Sequence, residues 1–61
     1  MLQAYRAYRV SSDGRVETVR LLVCANDAEA IVQAAQIAAG LDVEIWQGDR
    51  LVTRVEIARR R

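Results

Sequence analysis

The stretch from Asp42 to Arg54 decides the fold and reads Asp-Val-Glu-Ile-Trp-Gln-Gly-Asp-Arg-Leu-Val-Thr-Arg. Two runs of residues that favour strands, Val43 to Trp46 and Leu51 to Val55, flank Gly48 and Asp49. Glycine at the first central position of a tight loop suits a type II′ turn. The stretch therefore predicts a β-hairpin.

This hairpin has two possible registers. A two-residue loop pairs Trp46 with Leu51 and Ile45 with Val52, which puts apolar groups on both faces. A three-residue loop pairs Ile45 with Thr53 and separates core from surface more cleanly. Because a slip of one residue exchanges the two faces, only one register can be native. We expect the three-residue loop.

The preferred register also predicts which residues of the hairpin are buried. Trp46 and Val52 stay together on the outer side, where Glu44 stands opposite Arg54 as a favourable cross-strand ion pair. The core side gathers Val43, Ile45, Leu51, Val55 and Ile57.

A helix over about residues 27–39 precedes the hairpin. Asn26 is the expected N-cap, and Glu29 three residues later completes a capping box. The body is mostly alanine, the best helix former, and Gly40 is the expected C′ residue. The buried stripe at the 3-4 spacing of an amphipathic helix comprises Ile31, Ala34, Ala38 and Leu41, with Ala30 and Ile37 beside it.

An N-terminal hairpin over about residues 3–10 and 15–24 opens the chain. The turn formers Ser11 to Gly14 join its two strands. The unbroken apolar run from Leu21 to Cys24 predicts burial on both faces at the end of the second strand.

The expected fold is one α+β domain over residues 1–61, in the order ββαββ, with strands 3 and 4 at about 42–47 and 51–57. Its four strands form a mainly antiparallel sheet, with one helix packed on one face. The strand order stays open: if strand 1 lies between strands 2 and 3, the order is 2-1-3-4. The uncovered face then carries Tyr5 or Tyr8, Trp46, Val52 and the odd-numbered residues of strand 2.

Composition narrows the classes of function. The chain has 61 residues, a net charge of +1, nine arginines, no lysine and no histidine. Cys24 is alone, so the composition predicts neither an internal disulfide nor a zinc site. A small core without such support favours association. Without an apolar run of membrane-spanning length or a signal peptide, we expect a cytoplasmic protein with no cofactor.

Two motifs carry a resemblance to short, uncharacterised proteobacterial proteins. The first is the helix opening Asp27-Ala28-Glu29-Ala30-Ile31, which matches their Asp-x-Glu-Ala-Ile pattern. The second runs from Asp42 to Arg54 and matches their closing Asp-Val-Glu-Leu/Ile-Trp-x-Gly-x-Arg-Leu-Val-x-Arg. The resemblance implies a bacterial protein with the same order of strands and helix, and it implies no activity. The basic tail Arg59 to Arg61 is outside the pattern.

Residues suited to catalysis are few. Ser11 and Ser12 lie in a turn without a nearby base, and Arg54 is the better partner for Glu44 than Glu56 is. Cys24 ends an apolar strand, where a thiol is usually an inert small hydrophobe. A thiol-dependent enzyme is kept as a third class only because Cys24 is also near the helix start. We expect a non-enzyme.

The aromatic residues support the sharper hypotheses. Aromatic and arginine side chains are enriched at protein interfaces, and we predict a contact site formed by Trp46, Val52, Tyr5 and Tyr8. The protein is then a self-associating binding or adaptor module, with a homodimer favoured. The alternative is a small antitoxin-like regulator that binds RNA or DNA through the aromatics. Its phosphate contacts would be Arg6, Arg9, Arg20 and Arg54.

Overall fold

The computed structural model describes residues 1–56 of the chain. Its elements follow the predicted order ββαββ, and the fold is α+β as expected. The last strand ends at Val55, before the predicted end at Ile57; Ile57 itself and the basic tail Arg59 to Arg61 lie outside the described residues. The elements are β1 (Gln3–Val10), β2 (Val16–Cys24), α1 (Asp27–Ile37), β3 (Asp42–Gln47) and β4 (Arg50–Val55).

The four strands form one open sheet in the order β2-β1-β3-β4. Each neighbouring pair is antiparallel. β1 lies between the two strands that α1 connects, so β2 and β3 run in the same direction. The arrangement with strand 1 inserted between strands 2 and 3 is therefore the correct one, and β2 and β4 are the sheet edges.

The start of α1 is capped as its sequence predicts. The Asn26 side chain accepts a hydrogen bond from the backbone N–H of Glu29 at 2.9 Å. The Glu29 carboxylate accepts in turn from the backbone N–H of Ala25 at 2.6 Å, one residue before the N-cap. Two N–H groups that the helix itself cannot satisfy are thus paired.

The end of α1 comes earlier than predicted. The helix stops at Ile37 because the backbone turns left-handed at Ala39, with a φ of 54°, and stays so at Gly40, with a φ of 84°. The assignment of Gly40 as the C′ residue is therefore wrong by one position. The backbone N–H of Leu41 donates to the carbonyl of Ala38 at 3.0 Å, which closes the turn after the helix.

The core lies between α1 and one face of the sheet. Two alanines of α1, Ala30 and Ala34, are fully buried, and Ala38 at its C-cap is almost fully buried. Their small side chains allow the helix to lie close to the strands, and Ile31 and Ile37 pack beside them half-buried. The core comprises Tyr5, Ala7, Leu22, Cys24, Ala30, Ala34, Ala38, Val43 and Ile45.

Side chains of the sheet hold both ends of α1. At the start, Arg50 donates to both carboxylate oxygens of Asp27, at 3.1 and 3.2 Å, and the Tyr5 hydroxyl donates to the same carboxylate at 2.8 Å. At the other end, the guanidinium of Arg9 donates to the carbonyl of Ile37 at 3.2 Å. A negative group at the helix start and a positive group at its end are both favourable to the helix dipole.

The β3–β4 hairpin combines the two registers considered from the sequence. Away from the turn, Ile45 pairs with Thr53, as in the preferred register. Next to the turn, Trp46 pairs with Leu51, as in the two-residue loop. The change of register between these pairs is a β-bulge that leaves Val52 as the extra residue.

This bulge exchanges the faces of two side chains. Leu51 shares a face with Trp46, whereas Val52 packs against the core. The prediction of Leu51 in the core and Val52 beside Trp46 is therefore wrong. At the turn itself Gly48 has a φ of 60° and Asp49 has no positive φ, the pattern of a type II′ turn.

Candidate interaction face

The register divides the strand residues between two faces, because cross-strand partners share a face and neighbours along a strand alternate. We call the face turned away from α1 the outer face. Its residues, taken from β1 to β4, are Ala4, Arg6, Tyr8, Val10, Val16, Val19, Leu21, Val23, Asp42, Glu44, Trp46, Leu51 and Arg54.

The outer face exposes many apolar side chains, because α1 covers only the opposite face. Leu21 is 65% exposed and Val23 is 53% exposed, although Leu22 and Cys24 are buried. The predicted burial of this run on both faces is therefore wrong. Three more aliphatic residues of the outer face are 49% to 57% exposed: Leu51, Val19 and Val16.

Trp46 and Tyr8 lie near the middle of the outer face, and both are half-buried. Trp46 is paired with Arg6 and Tyr8 is paired with Glu44. The indole N–H of Trp46 donates to the Glu44 carboxylate at 3.2 Å. This hydrogen bond holds the indole against β3 and gives its N–H a partner within the subunit.

Arg54 contacts three carboxylates at one end of the outer face. It donates to Glu44 at 2.6 Å, which confirms the predicted ion pair, and to Asp42 at 3.2 Å. Its Nε lies 3.7 Å from a carboxylate oxygen of Glu56, just beyond β4. We call Asp42, Glu44, Arg54 and Glu56 the acidic cluster. The three carboxylates of this cluster share the guanidinium of Arg54.

Two shallow depressions mark the surface around Trp46. One has a volume of about 350 Å³, and its lining comprises Tyr8, Val16, Glu44, Trp46 and Gly48. The second, of about 140 Å³, includes Arg6, Leu21 and Trp46 in its lining. The larger depression is open to solvent, so it suits broad contact with another surface better than enclosure of a small molecule.

The predicted contact residues fall on opposite sides of the sheet. Trp46 and Tyr8 lie together on the outer face, whereas Val52 and Tyr5 belong to the side covered by α1. Tyr5 is 1% exposed. Burial, followed by the hydrogen bond to Asp27 and the charge of that carboxylate, raises the pKa of the Tyr5 hydroxyl. Tyr5 is therefore a structural residue that positions the helix start.

The predicted phosphate-binding arginines are also divided. Arg6 and Arg54 lie on the outer face, but Arg9 and Arg20 lie on the side of the helix. Arg9 contacts the helix end and donates to the Thr18 hydroxyl at 2.9 Å. Within residues 1–56, Arg6 makes no hydrogen bond or ion pair. The four side chains do not converge on a common surface.

Cys24 lies in the core beneath α1 and is fully buried. Burial raises the pKa of its thiol, and the nearby carboxylate of Glu29 raises it further. Both effects oppose formation of the reactive thiolate. The position is that of a small hydrophobic core residue, as expected from the sequence.

Sequence reasoning missed some residues of this region. Leu51 is assigned to the core because the bulge leaves no mark in the amino-acid pattern. Asp42 and Glu56 are missed as partners of Arg54, because a single cross-strand pair is all that a register predicts. The alternation of strand 2 predicts that Val19, Leu21 and Val23 point outward, but they are not among the predicted contact residues.

Comparison with known families, curated proteins and solved structures found no match to this chain. The resemblance to short proteobacterial proteins therefore stays a prediction. Among residues 1–56, no group of three or more acidic, cysteine or histidine side chains could hold a metal ion. The helix of this part of the chain is not long and apolar enough to span a membrane.

Proposed function

We propose that the protein is a small non-catalytic binding module that self-associates through its outer face, as a homodimer. The observation that carries the proposal is the band of exposed Val16, Val19, Leu21, Val23 and Leu51 around half-buried aromatics. Contiguous apolar surface of this kind marks interaction sites, and left uncovered it promotes aggregation. A second copy converts the uncovered face into a second core.

The size of the outer face suits a small dimer interface. Four strands about 4.8 Å apart and about six residues long, at about 3.3 Å per residue, span a flat area of roughly 400 Å². The accessible area of the projecting side chains is larger than this flat area. It approaches the roughly 500–800 Å² that each partner buries in a specific interface.

Several polar groups of the outer face already have partners within the subunit. Trp46 donates to Glu44, and Glu44 and Asp42 both accept from Arg54. Covering these groups removes water from charges that already have partners. The penalty for burying an unpaired charge is thereby avoided for this part of the face.

The position of Cys24 supports a binding role over a thiol-dependent reaction, because burial raises the pKa of the thiol. The nucleic-acid alternative is weaker. Arg9 and Arg20 lie on the side of α1, and Arg54 is surrounded by carboxylates.

The experiment is sedimentation across a protein concentration series, for the parent and for two substitutions at Trp46 and Leu21. We expect a concentration-dependent dimer in the parent. Trp46→Ala should weaken the dimer more than it destabilises the subunit. Leu21→Arg places a charge in the proposed contact and should leave the protein monomeric.

Val32→Arg is the matched control for Leu21→Arg. Val32 is also an exposed aliphatic residue, at 57%, but it lies on α1. It should leave the dimer intact. A parent that stays monomeric at high concentration defeats the proposal. A dimer that survives both Trp46→Ala and Leu21→Arg places the contact elsewhere. Binding of RNA or DNA that falls steeply with salt would instead support the alternative function.

A further inference from the structure

β2 is the longer of the two edge strands, and within residues 1–56 no strand lies on its other side. A β-bulge at Glu17 lies near its start, and from Thr18 to Cys24 its pairing with β1 is regular. The shorter edge strand β4 is interrupted by the bulge at Val52. Because a bulge opposes the addition of another strand to an edge, β2 is the edge better suited to accept one.

The register shows which backbone groups of β2 point to the free edge. The N–H of Ser11 donates to the carbonyl of Arg15 at 2.8 Å, so the backbone groups of Ser11 are directed across the N-terminal hairpin. Their direction alternates along an antiparallel strand, so the odd-numbered residues of β1 bond to β2. Their partners in β2 are Thr18, Arg20, Leu22 and Cys24. The residues that direct their N–H and C=O groups to the free edge are therefore Val19, Leu21 and Val23.

The turn between β3 and β4 leads to the same assignment. Gln47 and Arg50 flank this two-residue turn, and such flanking residues are hydrogen-bonded to each other. Alternation back along β3 then directs the backbone groups of Trp46 toward its partner Arg6 in β1. The even-numbered residues of β1 therefore bond to β3, and the odd-numbered residues are left to bond to β2.

The three residues with free backbone groups are aliphatic, exposed and symmetric in order. Val19, Leu21 and Val23 alternate with residues of the helix side, and the series valine, leucine, valine reads the same in both directions. An antiparallel second copy therefore presents the same side chains and the same free groups. Arg20 between them is exposed, so α1 leaves this part of the edge open. A flat apolar edge without a partner promotes aggregation.

We propose that the β2 edges of two copies of this chain pair antiparallel about Leu21 and join the two four-stranded sheets into one. Leu21 pairs with Leu21 of the partner subunit, and Val19 pairs with Val23 of the partner subunit. Each of these pairs exchanges two backbone hydrogen bonds. An axis one residue earlier places Arg20 opposite Arg20 of the partner subunit, and like charges directly opposite each other are unfavourable.

This edge contact goes beyond the proposed face-to-face dimer, because it uses backbone groups and leaves the outer face open. Both contacts are isologous, and two different isologous contacts of one chain build an assembly of at least four subunits. A substitution at Leu21 alters both contacts, since its side chain lies on the outer face. A methyl group on the backbone nitrogen of Leu21 separates them, because it removes the free N–H and keeps the side chain.

The test uses the full chain of 61 residues, made by chemical synthesis with this methyl group. Methylation of the Leu51 nitrogen is the matched control. Leu51 has the same side chain on the same face, and its N–H points to the free edge of β4, because the bonded pair at the turn is the next one along. Circular dichroism and thermal unfolding show whether each methylated chain folds like the parent.

Sedimentation across a concentration series measures the assembly. The parent and the chain methylated at Leu51 should assemble beyond two subunits at high concentration, whereas the chain methylated at Leu21 should stop at two. The dissociation constant of the edge contact should rise about 10- to 100-fold, because the central pair loses both of its hydrogen bonds.

Amide hydrogen exchange of the parent is an independent measurement. In a face-to-face dimer alone, the N–H of Leu21 has no acceptor and exchanges much faster than those of Arg20 and Leu22, which bond to β1. Edge pairing should slow exchange at Leu21 toward the rate of these neighbours as the concentration rises.

The outcomes separate the edge contact from the face contact. Fast exchange at Leu21 at every concentration, or equal assembly of the two methylated chains, overturns the edge contact and leaves the face-to-face dimer standing. Association that is lost on methylation of Leu21 and unchanged by Trp46→Ala supports the edge contact and defeats the face contact. A parent that stays monomeric defeats both.

Discussion

The N-cap of α1 gives a prediction whose size follows directly from the structure. Asn26→Ala removes the oxygen that accepts from the Glu29 N–H at 2.9 Å. Loss of an asparagine N-cap to alanine typically costs about 1 kcal/mol. Asn26 is exposed, so water reaches the freed N–H and the cost stays near that value rather than rising to the penalty of a buried orphan.

Backbone strain adds nothing to this cost. Asn26 has a φ of −159° and a ψ of 176°, an extended conformation that alanine adopts equally well. For a domain of this size, a loss of about 1 kcal/mol lowers the melting temperature by roughly 4–8 °C. The expected effect therefore comes almost wholly from one hydrogen bond and is large enough to measure.

Thermal unfolding followed by circular dichroism is the assay. All proteins are compared at one concentration, because self-association raises the apparent stability. Asn26→Asp keeps an acceptor oxygen and should melt close to the parent. Asn26→Gly should lose only a few tenths of a kcal/mol, since glycine is itself a fair N-cap.

An unchanged melting temperature for Asn26→Ala refutes the cap assignment. Asp27→Ala is a poor substitute for this test, although Asp27 is the next residue along the chain. Its carboxylate accepts from Tyr5 and Arg50, so its removal destabilises the protein whichever residue caps the helix. The Asn26 series isolates the cap from those contacts.

Three further outcomes are expected. Ala39→Gly should raise stability by about 0.5–1 kcal/mol, because glycine adopts the left-handed φ without strain. Ala35→Gly within α1 should lower stability by about as much. Urea titration measures both changes. Cys24 should react slowly with a thiol reagent in the native protein and quickly in denaturant; rapid native labelling contradicts its burial. The hydrogen bonds that Asp27 accepts, first from Arg50 and then from Tyr5, lower the pKa of its carboxyl group. The ionised carboxylate therefore stabilises the folded protein above the pKa of Asp27 in the unfolded chain, and this stabilisation is lost as the pH falls through the pKa in the folded protein. Asp27→Asn should therefore flatten acid unfolding relative to the parent, and an identical pH profile contradicts this.

The sequence by itself determined the elements and most of their local signals. The N-cap pair Asn26 and Glu29 predicts the start of α1 because capping depends on residues three apart. Gly48 predicts the turn because few other residues tolerate its φ. Alternation along β2 predicts which of its residues point away from α1, and the pairing of Glu44 with Arg54 follows from the preferred register.

Other features depend on contacts that local patterns do not encode. Tyr5 and Tyr8 lie on opposite faces because of strand parity, but only the position of α1 decides which face is buried. The C-terminal end of α1 moves to Ile37 although Ala39 is a poor left-handed residue. The local preference of alanine for the helix is overridden there by the path that the chain takes into β3.

The bulge at Val52 is the clearest case of a tertiary decision. Both registers of the hairpin have merit in the sequence, and the structure uses one beside the turn and the other beyond it. Local turn geometry favours the two-residue loop at Gly48, whereas burial of Val43 and Ile45 favours the register farther along. One extra residue satisfies both demands, turns Val52 toward the core and leaves Leu51 beside Trp46 on the outer face. Packing of the sheet against α1 therefore decides which side chains lie on the outer face, and this packing joins residues that are distant in the chain.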